Sequence, residues 1–328
     1  MKFLIAGFGS IGRRHFRNLL TLGERDILLY RTYQSTLQDD ELAGFLAETD
    51  LKEALAHKPD AVIVSNPTAY HLDVAIPAAE AGCHILIEKP VSYSMERMDT
   101  LENAVQRGGG HVLVGFQFRF HPGFRKVASL LSEGVIGRPL SVRAHWGEYL
   151  PDWHPWEDYR QGYSARTDLG GGVILTLCHP LDYLCWLFGD VEALWAFSGS
   201  ISDLKIPVED TAEIGLRFAN GIIGSVHLDY NQRPPAHTVE IVGTQGTIQW
   251  DYSDGAAKAY TTTTKEWEVY PLPEGYERND MFLTEMRHFI DVVCGKATSL
   301  CTLDDGIRVQ GIIQAVKTSS QSGQMIRW

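Results

Sequence analysis

The chain has 328 residues, and at about 150 residues per domain two domains are expected. With 44% hydrophobic and 21% charged residues it has the composition of a folded globular protein, which excludes bulk disorder. Lysine and arginine number 29 against 41 acidic residues, a net charge of −12 that argues against a nucleic-acid partner.

In the first third, short apolar runs alternate with helix-length segments. Lys2 to Ala6, Ile27 to Tyr30, Ala61 to Val64, Ile85 to Ile87 and Val112 to Val114 are continuous apolar or β-branched runs, suited to strands covered on both faces. Between them, Ile11 to Leu22, Leu51 to His57, His71 to Ala81 and Ser94 to Arg107 are of helical length. This alternation predicts a doubly wound parallel sheet over residues 1–120. Over 121–328 the pattern changes to α+β. Leu140 to Trp146, Thr211 to Phe218, Ile222 to Tyr230, Val239 to Gly243 and Thr247 to Asp251 are expected strands. Asn220-Gly221 marks a hairpin because both residues tolerate positive φ, so the second sheet should be large and mostly antiparallel. Helices are expected over Gly172 to Phe188, Asp280 to Cys294 and Asp304 to Ser319.

No run approaches the ~18 apolar residues of a membrane span, and the N-terminus enters a strand directly, so no membrane partner is expected. Cys83, Cys178, Cys185, Cys294 and Cys301 form no CxxC pair, and mostly buried thiols in a reducing cytoplasm are expected.

Gly7-Phe8-Gly9-Ser10-Ile11-Gly12 follows the first strand and opens the first helix, which is GxGxxG in the context a Rossmann dinucleotide site requires. Gly7 allows the tight turn, Gly9 lets a diphosphate approach the backbone, and Gly12 lets helix pack on strand. The diphosphate would sit on the helix N-terminus, where free N–H groups and the dipole favour negative charge. Where NAD-binding relatives carry an acid for the ribose hydroxyls, the second strand ends at Tyr30 and the next residue is Arg31. Arg31, with Thr32 or Ser35 as added donors, suits the 2′-phosphate of NADP; as a plain loop residue it would leave NAD as the cofactor, and NADP is favoured. Ser65-Asn66 ends the third run on the carboxyl edge and could reach the cofactor. His71 could do likewise or simply pack. Glu88-Lys89-Pro90 ends the fourth run, where a lysine can stabilise a developing alkoxide.

In Gly170-Gly171-Gly172 to Tyr183 the expected helix is apolar nearly all round and therefore buried. Thr176, His179 and Asp182 recur every third residue and share a face, and Pro180 should kink the helix beside His179. A buried histidine with a carboxylate one turn away is either a general base or a satisfied core pair. HExxH, GxxxxGK[ST] and GxSxG are absent from the sequence. His145 with Glu148 and His154 with Asp158 stand outside any wider ligand cluster, so no metal is expected.

Taken together, GFGSIG, Glu88-Lys89-Pro90, Gln117-Phe118-Arg119-Phe120-His121-Pro122 and the glycine-rich stretch leading to His179 and Asp182 resemble the Gfo/Idh/MocA oxidoreductase family. The resemblance covers essentially the whole chain. It implies a Rossmann domain followed by an α+β domain whose open sheet forms homodimer or homotetramer contacts. It further implies that Lys89 contacts substrate and cofactor, that His179 is the acid/base with Asp182 orienting it, and that Gln117 and Arg119 lie beside the nicotinamide and substrate. The expected reaction is hydride transfer between NADP, or NAD, and a secondary alcohol or ketone of a sugar, cyclitol or nucleotide sugar. Many members carry an aspartate one turn before the histidine, where this chain has Leu175 and Thr176. Thr176 is neutral, so substrate anchoring would differ. The stretch from Tyr149 to Arg160, with Tyr163 and Arg166, is similar to members of surface-polysaccharide and nucleotide-sugar pathways, and its aromatic and arginine content suits sugars and phosphates. The alternatives are a glycoside hydrolase that uses tightly held NAD for transient redox, and a dinucleotide-binding sensor without catalysis.

Overall fold

Six parallel strands build the first sheet: β1 (Phe3–Ala6), β2 (Ile27–Tyr30), β3 (Leu46–Glu48), β4 (Ala61–Val64), β5 (His84–Ile87) and β6 (Val112–Val114). The computed structural model describes residues 1–32 and 40–328. The strand order is β3-β2-β1-β4-β5-β6, so the chain reverses direction of travel between β1 and β4. That reversal is the switch point where ligands bind in this architecture. β1 and β4 are buried at every position, as strands with helices on both faces must be. Four helices belong to this alternation: α1 (Ser10–Thr21), α2 (Leu51–Ala56), α3 (His71–Glu80) and α4 (Met98–Gly108). Asp50 caps α2 by accepting from the Glu53 amide at 3.0 Å.

The chain divides into two compact units, residues 1–117 with 278–310, and residues 118–277 with 311–328. The sequence suggests one division near 120, but the late segment returns to the first unit through specific contacts. Asn279, on the second helix-length segment from the end, donates to Asn18 Oδ1 at 2.8 Å, and the Arg14 guanidinium lies 4.3 Å above the Phe282 ring. The Val114 amide then donates to Cys301 O at 2.9 Å, extending the β6 edge.

In the second unit nine strands form one sheet. They are β7 (Pro139–Gly147), β8 (Val191–Gly199), β9 (Thr211–Phe218), β10 (Ile223–Asp229), β11 (Ala236–Gly243), β12 (Gly246–Asp251), β13 (Ala257–Thr261), β14 (Trp267–Tyr270) and β15 (Ile326–Arg327), in the order β14-β13-β12-β11-β7-β10-β9-β8-β15. β7 and β10 pair in parallel, and the other neighbours are antiparallel. β9 and β10 form the expected hairpin, with Gly221 at φ 87°. Alternation along these strands puts Val142, Ala144, Trp146, Ile214, Leu216, Val226 and Ile241 into the core. Each fully buried aliphatic side chain of this kind contributes about 1.5–3 kcal/mol. That face is covered by α5 (Pro122–Ser132), α6 (Val173–Thr176) and α7 (His179–Phe188), while Arg143, His145, Glu213 and Ser225 point to the opposite, open face. The last helices are α8 (Arg278–Val293), in the first unit, and α9 (Leu303–Ser322), which runs from the first unit into the second.

The single helix expected over 172–188 is broken. Thr167–Thr176 and α7 meet at 47°, and α7 restarts at His179. Pro180 explains the restart: without an N–H it fits the first turn of a helix but not an interior. Among the described residues no single helix is long and apolar enough to cross a membrane.

Candidate active site

The loop after β1 shows why its glycines stand where they do. Gly7 has φ 93°, and a Cβ there would stand 2.5 Å from the Asn66 amide nitrogen. A Cβ on Gly12 would overlap Gly7 O and lie 2.9 Å from Ser65 Oγ. Gly9 differs, because a Cβ there meets nothing within 4 Å. The space beside Gly9 therefore opens onto the N-terminus of α1, which no side chain caps. The first-turn amides of a helix lack intrahelical acceptors, so this cradle fits a dinucleotide diphosphate in both room and donors. Phe8 is buried below two cations, with the Arg13 guanidinium 4.7 Å and that of Arg31 5.3 Å from its ring centre. Arg31 is thus a buried residue held against the glycine loop. Ser35 lies outside the described residues.

On the carboxyl ends of β4 and β5 the polar residues are tied to one another. Ser65 Oγ donates to Ala6 O (3.1 Å) or Gly7 O (3.0 Å), which pins the glycine loop to β4. Asn66 Nδ2 donates to Tyr70 O at 3.0 Å. His71 is buried with Nδ1 2.9 Å from Pro90 O and Nε2 3.0 Å from Asn66 O. Burial holds its pKa below the usual value against the pull of Glu88, and a neutral ring has one N–H, so it bonds one of these carbonyls at a time. His71 thereby braces the ends of β4 and β5 together.

The Lys89–Pro90 peptide bond is cis. Beneath Lys89, His15 Nε2 donates to Glu88 Oε1 at 2.7 Å, with His15 fully buried. Burial alone would push the Glu88 carboxyl up, but the His15 hydrogen bond and the charge of Lys89 bring it below the usual carboxylate range. Glu285 of α8 is also fully buried. Burial, then the neighbouring Glu88 charge, pushes its pKa well above the ordinary value. His15 and Glu285 were not singled out from the sequence. The signal for His15 was a histidine on the buried stripe of α1 beside Phe16 and Leu19; Glu285 had none short of tertiary structure.

In the second unit His179 has no exposed surface. Phe118 meets it edge-on at 5.0 Å between ring centres, and Trp146 stacks at 5.5 Å. Behind Trp146, His237 lies parallel at 4.3 Å, with Tyr183 Oη 3.2 Å from His237 Nε2. Burial holds His237 well below its usual value, so the ring is neutral and shares one hydrogen bond with the Tyr183 hydroxyl. Asp182 is clamped by Arg119, whose Nη2 donates to Oδ1 at 2.6 Å and whose Nε lies 3.1 Å from Oδ2. The structure thus joins Arg119 to Asp182, a pairing that helical spacing could not reveal. Thr176 faces the buried Tyr230 hydroxyl, which also donates to Ser164 O at 3.3 Å. Gln117 is buried at the end of the first unit's leading segment.

The stretch after β7 is a series of short 3₁₀ turns with mixed exposure. Leu150 is buried, Trp156 is exposed and Tyr163 is 38% exposed. Arg166 forms a surface pair with Asp168, its Nε donating to Oδ1 at 3.0 Å. His145 does not pair with Glu148, whose carboxylate accepts from Trp146 Nε1 at 2.8 Å.

A six-stranded doubly wound sheet with an open glycine cradle at its switch point defines a dinucleotide-binding protein of the Rossmann class. Residues 1–116 match the oxidoreductase family with an NAD-binding Rossmann fold, and residues 124–249 match the GFO/IDH/MocA C-terminal domain. The chain belongs to the Gfo/Idh/MocA oxidoreductases. It is 26% identical to the myo-inositol 2-dehydrogenase of Thermotoga maritima, over all of this chain and 98% of the relative. It is 32% identical to the 1,5-anhydro-D-fructose reductase of Ensifer adhaerens, over 81% of this chain and 78% of the relative. In fold it is similar to a levoglucosan dehydrogenase in complex with NADH, with a TM-score of 0.87, 21% identity, and coverage of 100% of this chain and 98% of the other.

Proposed function

We propose that this oxidoreductase prefers NADP and interconverts a secondary alcohol and ketone on a sugar, cyclitol or nucleotide sugar. The observation that carries the reading is the open cradle at Gly9 on the α1 N-terminus, with Lys89 on the same carboxyl edge two strands away. The nicotinamide, when bound, takes up or supplies hydride. Ser65 and His71 hold the loops that shape the cradle. Lys89 hydrogen-bonds the substrate oxygen and stabilises alkoxide character as it develops. His179, in a wall of Phe118 and Trp146 that excludes water, takes the hydroxyl proton, while Asp182 is held in place by Arg119. Relatives named for inositol and anhydrofructose support a polyhydroxylated ring as substrate. Tyr163 supplies a half-exposed aromatic face of the kind that stacks on such rings. Lys89→Ala should lower kcat while leaving the dinucleotide Kd unchanged, and equal losses in both would make Lys89 a cofactor ligand instead. His179→Ala that kept wild-type turnover across the pH range would remove the acid/base role.

The preference for NADP is supported by Arg31, just after β2, whose guanidinium stacks over Phe8 of the glycine loop together with Arg13 of α1, itself paired with Glu41. Titration with NADPH and NADH, followed by nicotinamide fluorescence, tests it. Arg31→Ala should weaken NADPH by about 10- to 100-fold and leave NADH nearly unchanged, as expected for a lost charged hydrogen bond. Equal effects on the two cofactors would make Arg31 a structural residue. We further infer that the chain self-associates through the open face of the nine-stranded sheet. Its five cysteines, four of them buried, fit a reducing cytoplasm.

A further inference from the structure

The open face of the second sheet brings three donors together from strands β7 and β10. Parallel pairing sets His227 beside His145, and Asp229 beside Gly147. His227 Nε2 lies 3.1 Å and His145 Nε2 3.7 Å from the same oxygen, Asp229 Oδ2, and the three atoms fall within 4.8 Å of one another. Four-coordinate zinc with bonds of about 2.0–2.1 Å places neighbouring ligand atoms about 3.3 Å apart, between the two distances to Asp229 Oδ2.

The surroundings orient each donor. Glu213 Oε1 accepts from His227 Nδ1 at 2.5 Å, which aims Nε2 at the cluster, where it would give up its proton to Asp229 or solvent on binding a metal, as carboxylates behind metal-bound histidines favour. The Asn231 amide donates to Asp229 Oδ1 at 2.6 Å and turns Oδ2 toward the histidines. A Cβ on Gly147 would overlap Asp229 Oδ2, so the glycine gives the carboxylate its seat. His145 Nε2 is shielded from solvent and has no hydrogen-bond partner among the described residues. Protons on both Nε2 atoms would pair the two rings with the one Asp229 oxygen, and a single cation would take the same three atoms as ligands. His227 and Asp229 also line a hollow of about 720 Å³ shared with Tyr149, Ser202 and Arg233, which leaves room for a fourth ligand such as a water or a small anion.

We propose that His145, His227 and Asp229 bind one divalent transition-metal ion of the zinc type. Two imidazoles and one carboxylate suit zinc or cobalt better than calcium or magnesium, which take mainly oxygen ligands. Metal binding is read directly, so its test does not depend on turnover.

The full chain, treated with EDTA and desalted, is titrated with Co²⁺ while visible absorption is recorded, and Zn²⁺ is then added in competition. One equivalent of Co²⁺ should give saturable d–d bands that Zn²⁺ abolishes. His145→Ala and His227→Ala should each remove the bands, with far-UV circular dichroism confirming the fold. Glu213→Gln, which keeps all three ligands, should weaken binding by about 10-fold or more. Gly147→Ala, which displaces the carboxylate without removing it, should weaken it as well. Absence of saturable binding to the wild-type chain, retention of the bands in the His145→Ala/His227→Ala double variant, or equal loss in His154→Ala would each overturn the proposal.

Discussion

Arg119 and Asp182 form a buried ion pair, with Arg119 Nη2 2.6 Å from Asp182 Oδ1 and side-chain exposures of 3% and 0%. Such pairs are costly to break because the surviving partner remains buried and charged. Asp182→Asn should therefore destabilise the chain by about 3–5 kcal/mol, and Arg119→Met by a similar amount, in urea unfolding. The double replacement Arg119→Met with Asp182→Leu should cost less than either single change, because no charge is left without its partner. Simple addition of the two losses would show that the residues do not act as a pair.

The three glycines of the first loop separate packing from ligand binding. Gly12→Ala pushes a methyl into Gly7 O and should destabilise the first unit clearly. Gly9→Ala meets no protein atom, and Gly9 already has φ −81°, so stability should stay within about 0.5 kcal/mol. The methyl would occupy the diphosphate cradle, and dinucleotide affinity should fall at least about tenfold by fluorescence titration. Unchanged affinity in Gly9→Ala would place the dinucleotide elsewhere.

The open face of the second sheet predicts an oligomer with a testable seam. Trp195 crosses Gly215, where a Cβ would overlap the indole, and its ring lies 5.4 Å from Phe197, which is 67% exposed. A contiguous aromatic patch of this kind on a sheet face marks an interaction surface. Light scattering should report a dimer or tetramer for the wild-type chain and smaller species for Trp195→Glu with Phe197→Glu. A wild-type monomer at micromolar concentration would end this reading.

Local chemistry made the first sheet legible, because buried parallel strands are continuous apolar runs and GFGSIG names its own turn. β3 escaped because it has three residues and an exposed Leu46, so no run marks it. β8 escaped because its register shifts between Val191 and Ala193, which breaks the alternation. The return of 278–310 to the first unit depends on contacts such as Asn279 with Asn18, which no local pattern encodes. At the site, motifs pointed to Lys89 and His179 but could not show the company they keep. Helical spacing suggests Asp182 as the orienting partner of His179, but it could not show that Arg119, 63 residues away in sequence, also holds the carboxylate. His145, His227 and Asp229 likewise meet only because β7 and β10 are parallel neighbours in the sheet.

Glu285 gives the chain a stability that falls as pH rises. It has no exposed surface, and among the described residues neither carboxyl oxygen has a hydrogen-bond partner. Burial and the Glu88 charge raise its pKa in the folded state well above the ordinary 4.5. Below that ordinary value both folded and unfolded chains hold the proton, and the contribution to stability is complete. As pH rises past it the unfolded chain ionises while buried Glu285 stays neutral. Stability then falls by up to about 1.4 kcal/mol per pH unit until the folded-state value is reached. Glu285→Gln keeps the shape and removes the titration. The variant's stability relative to wild type should therefore improve as pH rises above the ordinary carboxylate range in denaturant melts. A gap that stays constant above that range would mean that Glu285 carries its charge in the folded chain, with a cation or donor beside it.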